Sequence, residues 1–213
     1  HIIKYPMSLI FLKNFNKAHY AIQNYFKSLL QKNFINDNKN RKMIMEIRLA
    51  TENDLPELKT MFCDIVNNMN NMGITIWDEV YPYEVFIDDI DDGTLYVLVD
   101  DNEIIATLGL FNSNDAEGCF DWNNKESKAM YVGRVGVKVD HLRKGVGSVI
   151  VNKAIEIAKQ QGVEYLRLLV ATINEPATNL YLKHGFKKVS GESKEYSEKR
   201  NIYITEYGYE LKL

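Results

Sequence analysis

This chain of 213 residues is poor in cysteine and proline and has no long apolar run. Two cysteines form no disulfide framework, which favours a reducing environment, so we expect a cytoplasmic protein. Cys63 falls in a helical pattern and is expected in the core. No apolar stretch approaches the roughly 20 residues of a membrane-spanning helix, so no membrane partner is predicted. His, Cys and carboxylate residues do not recur at metal-ligand spacing, so no metal is predicted.

Charge is distributed unevenly along the chain. Residues 1–42 contain eight Lys/Arg and one acid, Asp37, for a net charge of +7. The remaining residues contain 18 Lys/Arg and 28 Asp/Glu, a net charge of −10, which together give the −3 of the whole chain. The acidic part favours a cationic partner and argues against nucleic acid.

Residues 1–42 are predicted to be a basic helical extension and linker, and residues 43–213 the main domain. Apolar residues recur in the extension at helical spacing, and these are Phe11, Phe15, Ala18, Ile22, Tyr25 and Leu29. The chain begins with His1, so the extension is interpreted as a native accessory helix, a vector-derived segment or a targeting sequence. Its low Arg and Ser content favours the accessory helix, packed on the main domain or on a second copy in a homodimer.

The stretch 135–151 joins an apolar strand, a basic turn, two glycines and an amphipathic helix. Gly145 and Gly147 allow close approach of the backbone to a ligand and, where needed, positive φ. Amides at the start of the following helix favour a phosphate or pyrophosphate. Ile150 occupies the place of the third glycine of a dinucleotide fingerprint, and the Gly-Lys-Ser/Thr of a P-loop is absent.

A second motif, Asn-x-x-Ala-x-x-Leu-Tyr-x-Lys-x-Gly-Phe, spans residues 174–186. The two motifs in this order resemble the GNAT superfamily of acyl-CoA-dependent N-acyltransferases. That family's pyrophosphate loop reads Gln/Arg-x-x-Gly-x-Gly/Ala, and its later motif is matched completely here. In the first motif Leu142 stands where Gln or Arg is usual, and Arg143 follows one residue later. The resemblance covers roughly residues 45–213.

The resemblance implies a mixed α/β fold. Its central twisted sheet is mostly antiparallel with one splayed parallel pair of strands, and helices cover both faces. Periodicity independently predicts strands at 45–49, 94–99, 104–110, 129–139, 165–171, 186–189 and 202–213. Asp54 is expected to cap a helix, another helix covers about 83–90, two more follow the glycine turn and Asn174, and a charged loop covers 192–200.

The resemblance also implies acetyl-CoA as the co-substrate. The backbone at Val137, Lys138 and Val139 would pair with the pantetheine and polarise the thioester carbonyl. Asn174 would bond the pantetheine or cap its helix. The pyrophosphate would lie on the turn formed by Arg143, Lys144, Gly145, Val146, Gly147 and Ser148.

Tyr181 matches the family tyrosine whose hydroxyl faces the CoA sulfur. A phenol with an ordinary pKa of about 10 can protonate a departing thiolate with a pKa near 8.5 slightly uphill. We therefore predict that Tyr181 is the catalytic acid, and that its ionisation lowers kcat at alkaline pH. The alternative is a tyrosine that packs its helix onto the sheet.

Residues for the acceptor and the general base are less clearly marked. Trp77 and Tyr81 lie in an aromatic loop that either fills the core or holds a cationic amine. Arg134 is the only charged residue between 130 and 137 and is predicted to bind the acceptor. No acid lies on that strand, so the base stays open. The candidates are Asp121, Glu103, Glu79 and an ordered water relay.

The sequence thus predicts an N-acetyltransferase that moves an acetyl group from acetyl-CoA to a primary amine. The amine belongs to a small molecule or to a protein N-terminus. Because no base is evident, a non-catalytic acyl-CoA-binding or sensing module is the alternative. Nucleotide binding through the glycine turn fits the residues less well.

Overall fold

The computed structural model describes residues 45–78, 80–197 and 201–213. The extension and linker predicted for residues 1–42 lie outside the described residues. Their helix, their origin and a homodimer built on them therefore stay predictions. No helix within the described ranges is both long and apolar enough to cross a membrane.

The structure describes eight strands and four α-helices. They are β1 (Glu46–Leu49), α1 (Leu55–Asn71), α2 (Phe86–Asp91), β2 (Leu95–Asp100), β3 (Glu103–Phe111), β4 (Ala129–Val137), α3 (Val146–Gln160), β5 (Tyr165–Ala171), α4 (Glu175–Lys183), β6 (Lys187–Lys188), β7 (Ser193–Ser197) and β8 (Ile202–Lys212).

The strands form one sheet in the order β1-β2-β3-β4-β5-β8-β6, with β7 also paired to β8. Every pairing is antiparallel except that of β4 with β5, which is parallel. The predicted fold class, a mostly antiparallel sheet with one parallel pair and helices on both faces, is confirmed.

Helices cover both faces of this sheet because side chains of a strand alternate between the two faces. We call the face under α1 and α2 the front face, where helix residues such as Phe62 pack on Val97 and Ile104. The face under α3 and α4 is the back face, where Ile150 and Tyr181 join the largest apolar cluster. A ligand between two strands would therefore meet different residues on each face.

The long loop at residues 112–128 is packed on the front face of β5 and β8. Arg167 and Glu210 are both 3% exposed, and Arg167 Nε lies 3.7 Å from Glu210 Oε2. Arg167 donates to the Asn124 carbonyl (2.5 Å), and the Asn123 amide donates to Glu210 (3.2 Å). These two hydrogen bonds hold the loop against the ion pair. Removing either partner of the pair would leave the other charge buried and unpaired, which is strongly destabilising.

Two predictions made from the sequence are wrong. The charged stretch 192–200 contains strand β7, whose polar residues suit an edge strand that must not attract further strands. Cys63 is exposed on α1 rather than buried, because the apolar face of that helix uses Leu58, Phe62, Ile65 and Met69.

Asp54 precedes α1, but its carboxylate does not cap the helix amides. It accepts instead from the Thr51 amide (2.8 Å) and from both terminal nitrogens of Arg48 (2.8 Å each). The Arg48 guanidinium and the Thr51 donors lower the pKa of Asp54 to about 2. This ion pair joins β1 to the start of α1.

We predict that Asp54→Asn lowers the free energy of unfolding at pH 7 by about 1–2 kcal/mol, discounted because Arg48 is 40% exposed. The depressed pKa stabilises the fold above about pH 4, and this contribution is lost as pH falls to about 2. Chemical denaturation between about pH 2 and 7 measures this difference in the free energy of unfolding.

The control is Glu52→Gln, which changes an exposed carboxylate in the same turn and should change stability by under about 0.5 kcal/mol. A difference between Asp54→Asn and wild type that persists unchanged at pH 2 would contradict the assignment.

Candidate active site

Strands β4 and β5 separate part of the way along their length. Their parallel pairing runs from Ala129 opposite Tyr165 to Val132 opposite Leu168 and stops there. Both strands continue, β4 to Val137 and β5 to Ala171. Backbone groups of β4 that point toward β5 are therefore unpaired beyond Val132, which opens a gap in the middle of the sheet.

A β-bulge at Arg134 accompanies this separation. Arg134 has a φ of 53°. Gly133 pairs with Gly109 and Gly136 pairs with Thr107, so two residues of β4 lie opposite a single residue of β3. The fully buried Thr107 braces the bulge, since its Oγ1 donates to the Arg134 carbonyl (2.6 Å) and accepts from the Gly136 amide (3.2 Å). A bulge bends its strand and redirects a side chain. Here it directs Arg134 to the front face.

The glycine turn forms the start of α3, beyond the end of β4. Among the residues that the structure describes, the amides from Arg143 to Ser148 donate to no acceptor. The side chains of Arg143 and Lys144 are exposed, whereas Val146 is 1% exposed and packs in the core. Open amides at the positive end of a 15-residue helix suit an anionic ligand such as a pyrophosphate.

The two glycines of this turn meet different requirements. Gly145 has a φ of 87° with open space where a Cβ would be, so its backbone conformation selects glycine. A Cβ on Gly147 would lie 3.2 Å from Cδ2 of Leu180 on α4. Gly147 thus lets α3 and α4 approach each other, and it places the anion turn beside Tyr181, the residue after Leu180.

Tyr181 lies on the back face, 7% exposed, with its ring 5.6 Å from that of Phe186 in an edge-on arrangement. Burial raises the pKa of Tyr181 well above that of an ordinary phenol. The hydroxyl therefore stays protonated across the usual pH range. The sequence predicted that ionisation of Tyr181 lowers kcat at alkaline pH. With the pKa raised by burial, we expect no such decline from this residue below about pH 10. A weaker acid also contributes more by hydrogen bonding to a developing thiolate than by complete proton transfer.

Arg134 and Tyr81, both predicted to bind the acceptor, meet on the front face. The Arg134 guanidinium donates to the Tyr81 hydroxyl (2.7 Å) and to Asp89 of α2 (3.0 Å). It also lies over the rings of Tyr81 and Phe111, 5.3 Å from each centroid. Asp89 is 8% exposed, and its burial raises its pKa. The bulged strand, α2 and the loop before α2 are thereby joined beside the gap.

Trp77 packs elsewhere, with its ring 5.5 Å from that of Phe62 in the cluster under α1. Asn174 caps α4 by accepting from the Ala177 amide (3.2 Å), which is one of its two predicted roles. Its contact with pantetheine and the acceptor roles of Trp77, Tyr81 and Arg134 stay predictions.

Val137 is the last residue of β4, and Lys138 and Val139 follow it. Lys138 donates its amide to the Ile105 carbonyl (2.9 Å), so that amide is not available to a thioester. The unpaired edge of β4 begins after Val132 and includes Val137. The pairing of this segment with pantetheine stays a prediction. The Lys138 side chain pairs with Glu103, and Lys138 and Val139 line a groove of about 450 Å³ against α1.

Of the three carboxylates considered as the base, the two that the structure describes do not lie in the gap. Asp121 is 78% exposed at its side chain and pairs with Lys125. Glu103 pairs with Lys138 at the β2–β3 turn. Glu79 lies outside the described residues. Within the described ranges, no group of three His, Cys or carboxylate residues could hold a metal ion.

Sequence patterns did not indicate Thr107, Asp89 or Glu206 as residues near the site. Glu206 lies on β8 opposite Ala171 of β5 and opposite Ser193 of β7. Each of these side chains reaches the site through pairing or packing between segments that are distant in sequence. The sequence offers a signal for Thr107, because it is a single polar residue between apolar residues of β3.

Comparison with known proteins identifies the class of this fold. The structure resembles that of a GNAT-family acetyltransferase from Streptococcus agalactiae, with a TM-score of 0.68 and 17% identity, covering 79% of this chain and 95% of that one. A ribosomal-protein-alanine N-acetyltransferase from Brucella melitensis is similar with a TM-score of 0.57 and 21% identity, covering 79% of this chain and 99% of that one.

Sequence comparison identifies the family. The model of the Acetyltransferase (GNAT) family matches residues 63–186, more than half of the chain. The chain therefore belongs to the GNAT acetyltransferase family. A Xenopus tropicalis protein named "Probable N-acetyltransferase camello" is 28% identical over 98 residues, which cover 46% of this chain and 40% of that protein. The chain thus matches less than half the length of this curated relative.

We predict that Gly147→Val weakens CoA binding by about 1.5–3 kcal/mol, because the added side chain meets Leu180 and displaces the open amides from the pyrophosphate. Isothermal titration with CoA measures the effect. Gly118→Ala is the control, since a Cβ at Gly118 meets open space and its φ needs no glycine. Unchanged CoA affinity in a folded Gly147→Val protein would exclude the turn from the binding site.

Proposed function

We propose that this protein transfers an acetyl group from acetyl-CoA to a primary amine, of a small molecule or of a protein N-terminus. The observation that supports this most is the gap between β4 and β5 with the open amides of Arg143 to Ser148 at its end. An extended pantetheine can lie along the free edge of β4 while its pyrophosphate contacts the start of α3. Acetyl-CoA is the general acyl donor of the family.

The two faces of the sheet divide the chemistry. Tyr181 lies on the back face. In this proposal its hydroxyl hydrogen-bonds the sulfur of a thioester held in the gap. Arg134, Tyr81 and Asp89 lie on the front face, from which the acceptor approaches. Attack from the front and departure of the thiolate toward the back keep the two reacting groups on opposite sides of the acyl carbon. The unpaired β4 amides can stabilise the oxyanion.

The activity is tested by thiol release and product mass after acetyl-CoA is mixed with a panel of primary amines and peptides with free N-termini. Amine-dependent thiol release with an acetylated product is the expected result. Tight CoA binding without product for any amine would favour a non-catalytic acyl-CoA sensor. Absence of CoA binding would contradict both functions.

We predict that Tyr181→Phe lowers kcat by about 10²-fold with a smaller change in the KM for acetyl-CoA, because one proton donor is lost and little volume. Since burial raises the pKa of Tyr181, the wild type and the variant should show parallel kcat profiles through alkaline pH. Steady-state kinetics between about pH 7 and 10 check both points.

A packing role for Tyr181 gives a different result. Phenylalanine would keep the contact with Phe186, and kcat would stay near that of wild type. Phe186→Leu is the matched control for packing, since it alters the same contact and leaves the hydroxyl in place. Equal losses of kcat in the two variants would reject Tyr181 as the acid.

A further inference from the structure

Glu206 lies on β8, beside the end of β5. It is paired with Ala171, the last residue of β5, in the part of β5 that β4 no longer contacts. Tyr207 and Tyr209 pack on the back-face cluster, so alternation along β8 places Glu206 on the front face. The carboxylate also raises the pKa of the front-face Tyr81 hydroxyl, by less than burial does.

The other charged groups on this part of the front face are already paired or exposed. Asp89 of α2 forms the ion pair with Arg134 of β4, and Arg134 also donates to Tyr81. Glu195 of β7 is exposed to solvent. Glu206 accepts one hydrogen bond, from Ser193 Oγ (3.2 Å), and forms no ion pair among the residues that the structure describes. Its carboxylate is partly buried and can accept from another donor.

We propose that Glu206 accepts the proton of the acceptor ammonium on the front face of the gap, an assignment that rests on the proposed acetyl transfer. Its environment suits this role. Burial raises the pKa of Glu206 above that of an ordinary glutamate, and the nearby Glu195 raises it further, whereas the Ser193 hydrogen bond lowers it. A carboxylate with a raised pKa is a better base near neutral pH and still attracts a cation.

The step balances in atoms and charge. The ammonium R–NH₃⁺ gives one proton to Glu206, and the freed lone pair attacks the thioester carbon. The C–N bond forms and the C–S bond breaks as the tetrahedral intermediate collapses. The Tyr181 hydroxyl hydrogen-bonds the departing thiolate and keeps its own proton, and the thiolate is neutralised by the second proton lost from nitrogen. The products are R–NH–COCH₃, CoA-SH and one proton that Glu206 releases to solvent.

Among the described residues, the charged groups that act on the Tyr81 hydroxyl are the carboxylates of Asp89, Glu195 and Glu206 and the guanidinium of Arg134. This negative balance favours a cationic amine over a neutral or acidic acceptor. An acceptor that is already neutral at pH 7, such as an arylamine, needs no deprotonation before it attacks, and loses only the one proton that neutralises the thiolate. It therefore separates deprotonation from other roles of Glu206.

The test compares wild type, Glu206→Gln and Glu192→Gln on an alkylamine and an arylamine acceptor, with CoA affinity measured by titration. For Glu206→Gln we expect kcat/KM with the alkylamine to fall about 10²–10³-fold at pH 7. The residual rate should rise about tenfold per pH unit as free amine forms. The arylamine rate and the CoA affinity should stay close to those of wild type. Glu192→Gln removes the same charge from an exposed position and should change the rate less than about threefold.

Three results would overturn the assignment. A Glu206→Gln protein with wild-type alkylamine rate and pH profile excludes Glu206 and leaves acetyl transfer intact. Equal losses with the alkylamine and the arylamine show a structural role instead. A wild type that binds CoA but acetylates no amine contradicts the proposed function itself and the assignment with it.

Discussion

The separation of β4 from β5 beyond Val132 and Leu168 is the constraint on which the rest of the site depends. Two parallel strands that stay paired would leave no free backbone edge and no path between the faces of the sheet. The bulge at Arg134, braced by the buried Thr107 hydroxyl, bends β4 where the pairing ends. One local irregularity thus frees backbone groups for a ligand and directs Arg134 to the front face.

Packing on each side of the sheet places different chemistry at this gap. On the back face, the close approach of Gly147 to Leu180 brings the open amides of α3 next to the helix that carries Tyr181. On the front face, Arg134 joins α2 to the bulged strand through Asp89. The glycine turn and Tyr181 therefore lie on one side of the gap, and Arg134 and Asp89, which we propose face the acceptor, lie on the other. This division suits a reaction in which the donor is bound along the strand and the acceptor arrives from the opposite side.

How much the sequence predicted depends on how local each feature is. The glycine turn, the Asn174 cap and the Tyr181 helix are contiguous motifs, so their residues could be identified from the resemblance of those motifs to the family. The unpaired edge of β4 depends on strand register, which shows that it begins after Val132. The position of Glu206 depends on the pairing of β8 with β5 and β7, which brings together residues distant in sequence and so could not be predicted from a local motif. Strand β7 was missed because a charged edge strand lacks an apolar face, and Cys63 because a helical pattern alone leaves the limits of the buried face open.

Amide hydrogen exchange with and without acetyl-CoA tests the central claim, that the donor lies in the gap with its pyrophosphate on the start of α3. The account predicts that amides of residues 143–148, and those β4 amides beyond Val132 that point toward β5, become protected when acetyl-CoA binds. Amides of residues 129–132, where β4 is already paired with β5, should change little. Binding of acetyl-CoA that leaves the turn and the free edge as exchangeable as before would contradict the account.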